Sequence, residues 1–242
     1  MSKCVQHITR GGGGVENQLQ VDRLLLGDCL ELLKTIPTKS VDLVLTDPPY
    51  NINLVPQRGT TSAIEGDNMS GEDFTAFLTD VFRECFRVLK DDRSLISFMG
   101  WQTVSSFERA LLGAGYKIKS MPIWVKNNFG IGYYTRPQYE PMYLCFKGTP
   151  ETPERPISDV LQYQKVNKQI HSCQKPVELL SKLISTFSKE GDVILNPFIG
   201  SGTTAISAIK TGRHFVGMEI APDCFKQASE RVEAEISQVR LF

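Results

Sequence analysis

Apolar and polar positions alternate with two different periods along this chain, and the switches between them mark out its elements. From Met1 to about Gln20 there is no period at all: apolar residues are few, Gly11-Gly12-Gly13-Gly14 interrupts them, and the segment reads as a flexible tail. Order begins near Val21. Leu24 to Leu26 reads as a short strand, Cys29 to Leu33 as a helical turn, and the apolar run Val41 to Leu45 as a buried strand. Between Glu72 and Leu89 the apolar residues Phe74, Phe77, Leu78, Val81, Phe82, Cys85, Phe86 and Leu89 recur at helical spacing, as in an element packed on a sheet. Leu95 to Met99 reads as a strand, Thr103 to Leu112 as a helix, and Lys117 to Val125 and Pro141 to Phe146 as strands joined by a long loop. Pro176 opens a helix over Val177 to Phe187. Strand Val193 to Leu195, helix Ala205 to Ile209, strand Phe215 to Met218 and helix Cys224 to Ile236 complete the chain. Strands alternating with helices predict an α/β fold whose mainly parallel sheet is covered on both faces. The Tyr116 to Phe146 stretch, which lacks an intervening helix, predicts one antiparallel strand.

Composition narrows the class without choosing a function. With 242 residues, 41% hydrophobic and 22% charged, the chain can bury a sizeable core. Its 27 basic and 27 acidic residues cancel, so any polyanion must be met by locally concentrated charge rather than by an overall field. The six cysteines form no Cys-x-x-Cys pair and no zinc spacing, which predicts reduced thiols in a cytoplasmic protein and no metal site. No signal peptide or membrane span is visible.

Two motifs carry chemistry. The strand Val41 to Leu45 runs into Asp47-Pro48-Pro49-Tyr50, where each proline fixes its own φ, lacks an N–H and pushes its predecessor toward an extended conformation. The Asp47 carboxylate and nearby carbonyls are thereby presented outward with little freedom. Such acceptors suit an exocyclic amine, whose nitrogen lone pair is conjugated into its ring until the hydrogens are held and the nitrogen pyramidalises; Tyr50 offers a face for stacking. Taken alone the tetrapeptide reads equally well as an ordinary turn. The second motif, Asn196-Pro197-Phe198-Ile199-Gly200-Ser201-Gly202-Thr203, links a strand to a helix, and Glu219 closes the strand that follows. That is a nucleoside-binding α/β unit, with glycines admitting close backbone approach and an acid placed for ribose hydroxyls. It is neither the six-residue dinucleotide fingerprint nor a triphosphate loop.

Together, and in this order, the two motifs resemble those of the beta group of DNA amino-methyltransferases, over about residues 22 to 235. Gly27-Asp28-Cys29-Leu30, Trp124-Val125-Lys126 and the stretch His171 to Pro176 fall in register with the same family. The resemblance implies a Rossmann-like methyltransferase fold: a mainly parallel seven-stranded sheet with one antiparallel strand, helices on both faces, and a single domain over residues 21 to 242. It implies S-adenosylmethionine as cofactor and double-stranded DNA as partner, and it is compatible with a homodimer and a restriction endonuclease partner. Asp47, Pro48, Pro49 and Tyr50 are the expected catalytic residues. Glu219 is expected at the ribose, Asp28, Cys29 and Leu30 at the adenine, Asn196 and Phe198 with Gly200, Ser201, Gly202 and Thr203 at the methionine part, and Lys175 at its carboxylate. Asp28 also reads as a helix cap, and His171 as either a cofactor neighbour or a surface histidine. Where the family more often has aspartate this chain has Asn196, which replaces a charge-assisted bond by a neutral one.

The expected reaction is in-line transfer of a methyl group to adenine N6, with cytosine N4 as the alternative. An RNA or protein amino-methyltransferase and a catalytically silent DNA-binding module are more distant alternatives. Cytosine C5 chemistry needs a thiolate, usually presented after proline, and the chain has no Pro-Cys dipeptide. Target recognition is expected in three windows outside the core elements: 51–71 with Arg58, 126–136 with Tyr133, Tyr134 and Arg136, and 148–174 with Lys165 and Lys168.

Overall fold

The computed structural model describes residues 19–52, 69–130, 132–166 and 174–239. The expected tail, apart from Leu19 and Gln20, most of the 51–71 window including Arg58, and Lys168, His171 and Cys173 lie outside the described residues.

Among the described residues nine strands form the sheet, in the order β1-β9-β8-β2-β3-β6-β5-β7, with β4 paired to β6 off this path. The parallel half consists of β1 (Arg23–Leu26), β9 (His214–Glu219), β8 (Val193–Asn196), β2 (Val41–Thr46) and β3 (Leu89–Phe98). Strand β6 (Tyr139–Lys147) runs against β3, against β4 (Lys117–Ser120) and against β5 (Ile123–Val125), while β7 (Val160–Gln162) lies parallel to β5. The single reversed strand was legible in the sequence; the count of seven was not.

Two additions make up the difference. The expected strand Lys117 to Val125 is broken into β4 and β5, because Pro122 has no N–H to give the ladder and its carbonyl instead accepts the Met142 N–H. Part of the 148–174 window is also strand: in β7 Leu161 is buried between exposed Val160 and Gln162, the alternation of a half-buried edge strand too short to stand out.

Both faces of the sheet are covered. Helices α1 (Cys29–Leu33), α2 (Gly71–Val88) and α3 (Val104–Gly113) bury one set of apolar residues with Val44, Leu95, Leu195, Val216 and Met218. On the other face, α4 (Val177–Phe187), α5 (Thr203–Lys210) and α6 (Pro222–Val239) bury another set with Leu43, Leu45, Ile96, Ile194 and Phe215. The alternation of neighbouring strand residues between the two sets follows from the twofold period of a strand. All six residues of β2 are buried, as expected of a central parallel strand with helices above and below. Its buried Asp42 is held by Lys90, Arg93 and the Val193 N–H, so the charge near the start of β2 is paired rather than exposed to the core.

This topology sets the geography of everything functional. Because β1, β9, β8, β2 and β3 are parallel neighbours, the loops after their carboxyl ends stand side by side. In order they carry Asp28, Glu219, the Asn196 turn, the Asp47 tetrapeptide and Gly100.

Candidate active site

The tetrapeptide is rigidly held. Pro48 is buried, and Tyr50 packs against Gly100 at the end of β3, where an added Cβ would come within 3.3 Å of the Tyr50 Cβ. The Tyr50 hydroxyl donates to Asp47 Oδ1 at 2.6 Å and the Lys175 ammonium donates to Oδ2 at 2.5 Å. Each carboxylate oxygen therefore has its own donor, which fixes the plane of the group. A carboxylate has about four lone-pair directions, so capacity for an incoming donor remains. The next residue, Asn51, takes positive φ (54°) and uses both ends of its amide on the Met69 backbone, tying the tetrapeptide to the residues just before α2.

The glycine turn is shaped from within. Asn196 Oδ1 accepts the Phe198 N–H and its Nδ2 donates to Thr204, so this side chain ties the end of β8 to the start of α5. Gly200 and Gly202 adopt φ of 50° and 78°, conformations that L side chains rarely take. Among the described residues a Cβ at Gly200 would meet nothing within 4 Å, so the turn also leaves open space there. At Gly202 it would come within 3.2 Å of Ala228, which shows how closely α6 braces the turn. Arg231, also on α6, donates to the Ser201 carbonyl. Glu219 accepts the Gly200 N–H through Oε2 and the Ala221 N–H through Oε1. Ser201 and Thr203 share a hydroxyl bond at 2.9 Å, and Phe198 meets Phe77 edge to face. Asp28 caps α1 by accepting the Leu30 N–H, and Leu26 beside it pairs with Glu219.

The expected residues thus assemble along one edge, with two differences of detail. Asn196 spends its amide on the turn itself. Lys175, expected at the methionine carboxylate of the cofactor, contacts Asp47 of the tetrapeptide and also Glu140 Oε2 at 3.0 Å. Glu140 Oε1 in turn receives Lys126 at 2.5 Å, and the Lys175 and Lys126 ammonium groups lie over the rings of Phe98 and Trp124 respectively. Burial pushes the Glu140 carboxyl up, but Lys175 and Lys126 outweigh it and hold it down at about 2, so the group stays ionised at neutral pH. Glu140 and Arg231 were missed as site residues because neither lies in a motif. A charged residue directly before the apolar run Pro141 to Phe146, in YEPMYLCF, is the signal that could have found Glu140.

No thiol among the described residues is poised for nucleophilic attack. Burial pushes Cys29 and Cys145 up to about 12 and raises Cys85 and Cys224, so all four are protonated at neutral pH. Among the described residues no group of three or more His, Cys, Asp or Glu could hold a metal ion, and no helix is long and apolar enough to cross a membrane.

Comparison with known proteins points the same way as the geometry. Residues 41–230 match the model of the N6/N4 methyltransferase family, described as DNA methylase. The chain is 32% identical over 214 residues to YubD of Escherichia coli (strain K12), named as a putative methylase, covering 88% of this chain and 91% of YubD. It is 30% identical over 243 residues to the type II methyltransferase M.HinfI of Haemophilus influenzae, covering 82% of this chain and 65% of that protein. Among solved structures, TTHA0409 of Thermus thermophilus, in complex with S-adenosyl-L-methionine, superposes with a TM-score of 0.71 at 26% identity over 88% of this chain and 93% of that one.

Proposed function

The chain belongs to the N6/N4 family of DNA methylases, and on that premise we propose that it transfers the methyl group of S-adenosylmethionine to the N6 amine of adenine in double-stranded DNA. One observation carries the reading: an Asp-Pro-Pro-Tyr carboxylate, oriented by Tyr50 and Lys175, stands on the strand next to a left-handed glycine turn backed by an acid. The turn fits the cofactor. Glycine at 200 leaves an open face, and Glu219 keeps lone pairs beyond its two backbone donors for ribose hydroxyls. Bound there, S-adenosylmethionine supplies an electrophilic sulfonium methyl carbon.

The residues of the chain do the rest by orientation and electrostatics. Asp47 and the Pro48 carbonyl accept the two hydrogens of the amine and turn its lone pair toward the methyl carbon. The ring of Tyr50, backed by Gly100, stacks on the extruded base. In-line attack would form the N–C bond as the C–S bond of the donor broke, leaving its electron pair on sulfur, and the surplus proton of the methylated amine would pass to water. No covalent enzyme intermediate is involved. The Asp28 to Leu30 turn, next to Glu219 across β1 and β9, is the proposed adenine side of the cofactor site.

Adenine is preferred because aspartate at the first catalytic position goes mostly with adenine in the resembling family. Cytosine N4 presents an equivalent pair of hydrogens and is the competing target. Incubation with labelled S-adenosylmethionine and DNA, RNA or protein separates the substrate classes, and mass spectrometry of digested DNA identifies the base. N6-methyladenine is the expected product; N4-methylcytosine as the main product would overturn the adenine assignment and leave the cofactor and in-line transfer intact.

The second window supports DNA as the partner. The segment after β5 folds back on itself, with Lys126 and Gln138 backbones paired, Gly130 N–H on the Pro137 carbonyl, and Arg136 over the Phe129 ring. A side chain at Gly132 would collide with the Thr135 carbonyl, so the turn is tight, and Tyr133 and Tyr134 project from it fully exposed. We assign these rings to stacking or sugar contacts on DNA. The Tyr133→Ala/Tyr134→Ala double variant should weaken DNA binding by about 1 to 3 kcal/mol, with cofactor affinity unchanged. Fluorescence anisotropy on a labelled duplex tests this, and undiminished binding would remove the loop from the DNA interface.

A further inference from the structure

We propose that Glu140 is a positioning residue for methyl transfer: from β6 it holds Lys175, and through Lys175 the Asp47 carboxylate, in the orientation that the amine must meet. This rests on the assignment of Asp47 to the amine. Four charges alternate along one path, Asp47, Lys175, Glu140 and Lys126, and cancel in sum. They come from four places in the sequence: the end of β2, the segment before α4, β6, and the residue after β5. Side-chain exposures of 22%, 7%, 20% and 20% place the chain of charges at the inner wall of the site, not on the surface.

The geometry of Glu140 is the reason to give it a role. Its two oxygens serve different lysines, Oε1 for Lys126 and Oε2 for Lys175, so it cannot rotate without breaking one pair. The Tyr50 hydroxyl, which donates to Asp47, lies 3.4 Å from the Lys175 ammonium and 3.5 Å from Glu140 Oε2. Lys175 is thereby held between two carboxylates rather than committed to one. Were Glu140 neutral, the pull on the ammonium from the β6 side would be lost, and the balance of charge that sets the Asp47 carboxylate toward the incoming amine would change. Stability is a poor explanation for the arrangement, because buried ion pairs are commonly no better than apolar packing once desolvation is counted.

Glu140→Gln keeps the shape and removes the charge. Its expected effect is a fall in the single-turnover methylation rate of about 10- to 100-fold, the scale of misplacing a reacting group by a fraction of an ångström to one ångström, with the dissociation constant for S-adenosylmethionine unchanged. Lys126→Met should lower the rate in the same direction, and the double variant should be no slower than Glu140→Gln alone, because both act through one path. Lys126→Met also serves if Glu140→Gln does not fold. A normal or raised rate in Glu140→Gln, or losses that add fully in the double variant, would overturn the proposal. So would a rate that recovers fully when the assay temperature is lowered in step with the thermal midpoint, since that marks a merely structural role. All rates are taken on whichever amine the wild type methylates. Failure of the functional reading therefore appears as an inactive wild type, and failure of the Glu140 proposal as an unaffected variant.

Discussion

Asp47→Ala is expected to lower the single-turnover methylation rate by about 10² or more, the scale of losing one preorganised electrostatic contact in the transition state, while S-adenosylmethionine binds within several-fold of normal. The separation of the two effects follows from the sheet. Asp47 directly follows β2 and is assigned to the amine, whereas the cofactor's proposed contacts are at the carboxyl ends of β8, β9 and β1 and just after them. The structure adds a cost that the motif does not show: without Asp47 the Lys175 ammonium, 7% exposed, keeps Glu140 but loses a carboxylate at 2.5 Å. Asp47→Asn, which preserves one acceptor oxygen and the volume of the side chain, should therefore lose less stability than Asp47→Ala and still transfer slowly. Single-turnover rates with calorimetric binding test both variants, and a normal rate in Asp47→Ala would end the role assigned to the tetrapeptide.

Glu219→Ala carries the second large effect, a loss of cofactor affinity of about 1.5 to 3 kcal/mol from charged hydrogen bonds. Two sources contribute. The carboxylate is proposed to accept the ribose hydroxyls, and it visibly accepts the N–H groups of Gly200 and Ala221, so its removal also releases the glycine turn. Glu219→Gln separates nothing cleanly, since one of its amide hydrogens then faces a backbone donor. The control is Glu230→Ala on the exposed side of α6, expected to leave binding unchanged. Binding isotherms decide the matter, and equal affinities for wild type and Glu219→Ala would mean that the cofactor lies elsewhere.

Most of the site was readable because it is local. Asp47-Pro48-Pro49-Tyr50 and the Asn196 to Thr203 turn are each short segments at the end of an apolar run, and backbone restriction by proline and glycine acts within such segments without help from the rest of the chain. Helix α2 was readable from apolar residues recurring at helical spacing, and α4 from Pro176, which opens it. Asp28 shows the limit of local reading: cap and cofactor contact were both consistent with Gly-Asp-Cys-Leu, and the structure shows the cap.

What the sequence determined by itself was the α/β class, the one reversed strand, and the two motifs that stand at the ends of neighbouring β2 and β8, because strand and helix periods and turn chemistry are properties of neighbouring residues. Only the tertiary structure decided that Pro122 divides one expected strand, that Val160–Gln162 adds an edge, and that Arg231 braces the glycine turn. Most of all, it decided where Lys175 goes. Lys175 lies 128 positions from Asp47 and 35 from Glu140, and its place between two carboxylates depends on the sheet order bringing β2, β3 and β6 together. An ion pair is chosen by distance in space and by the burial that strengthens it, and neither quantity is written in the spacing of residues along the chain.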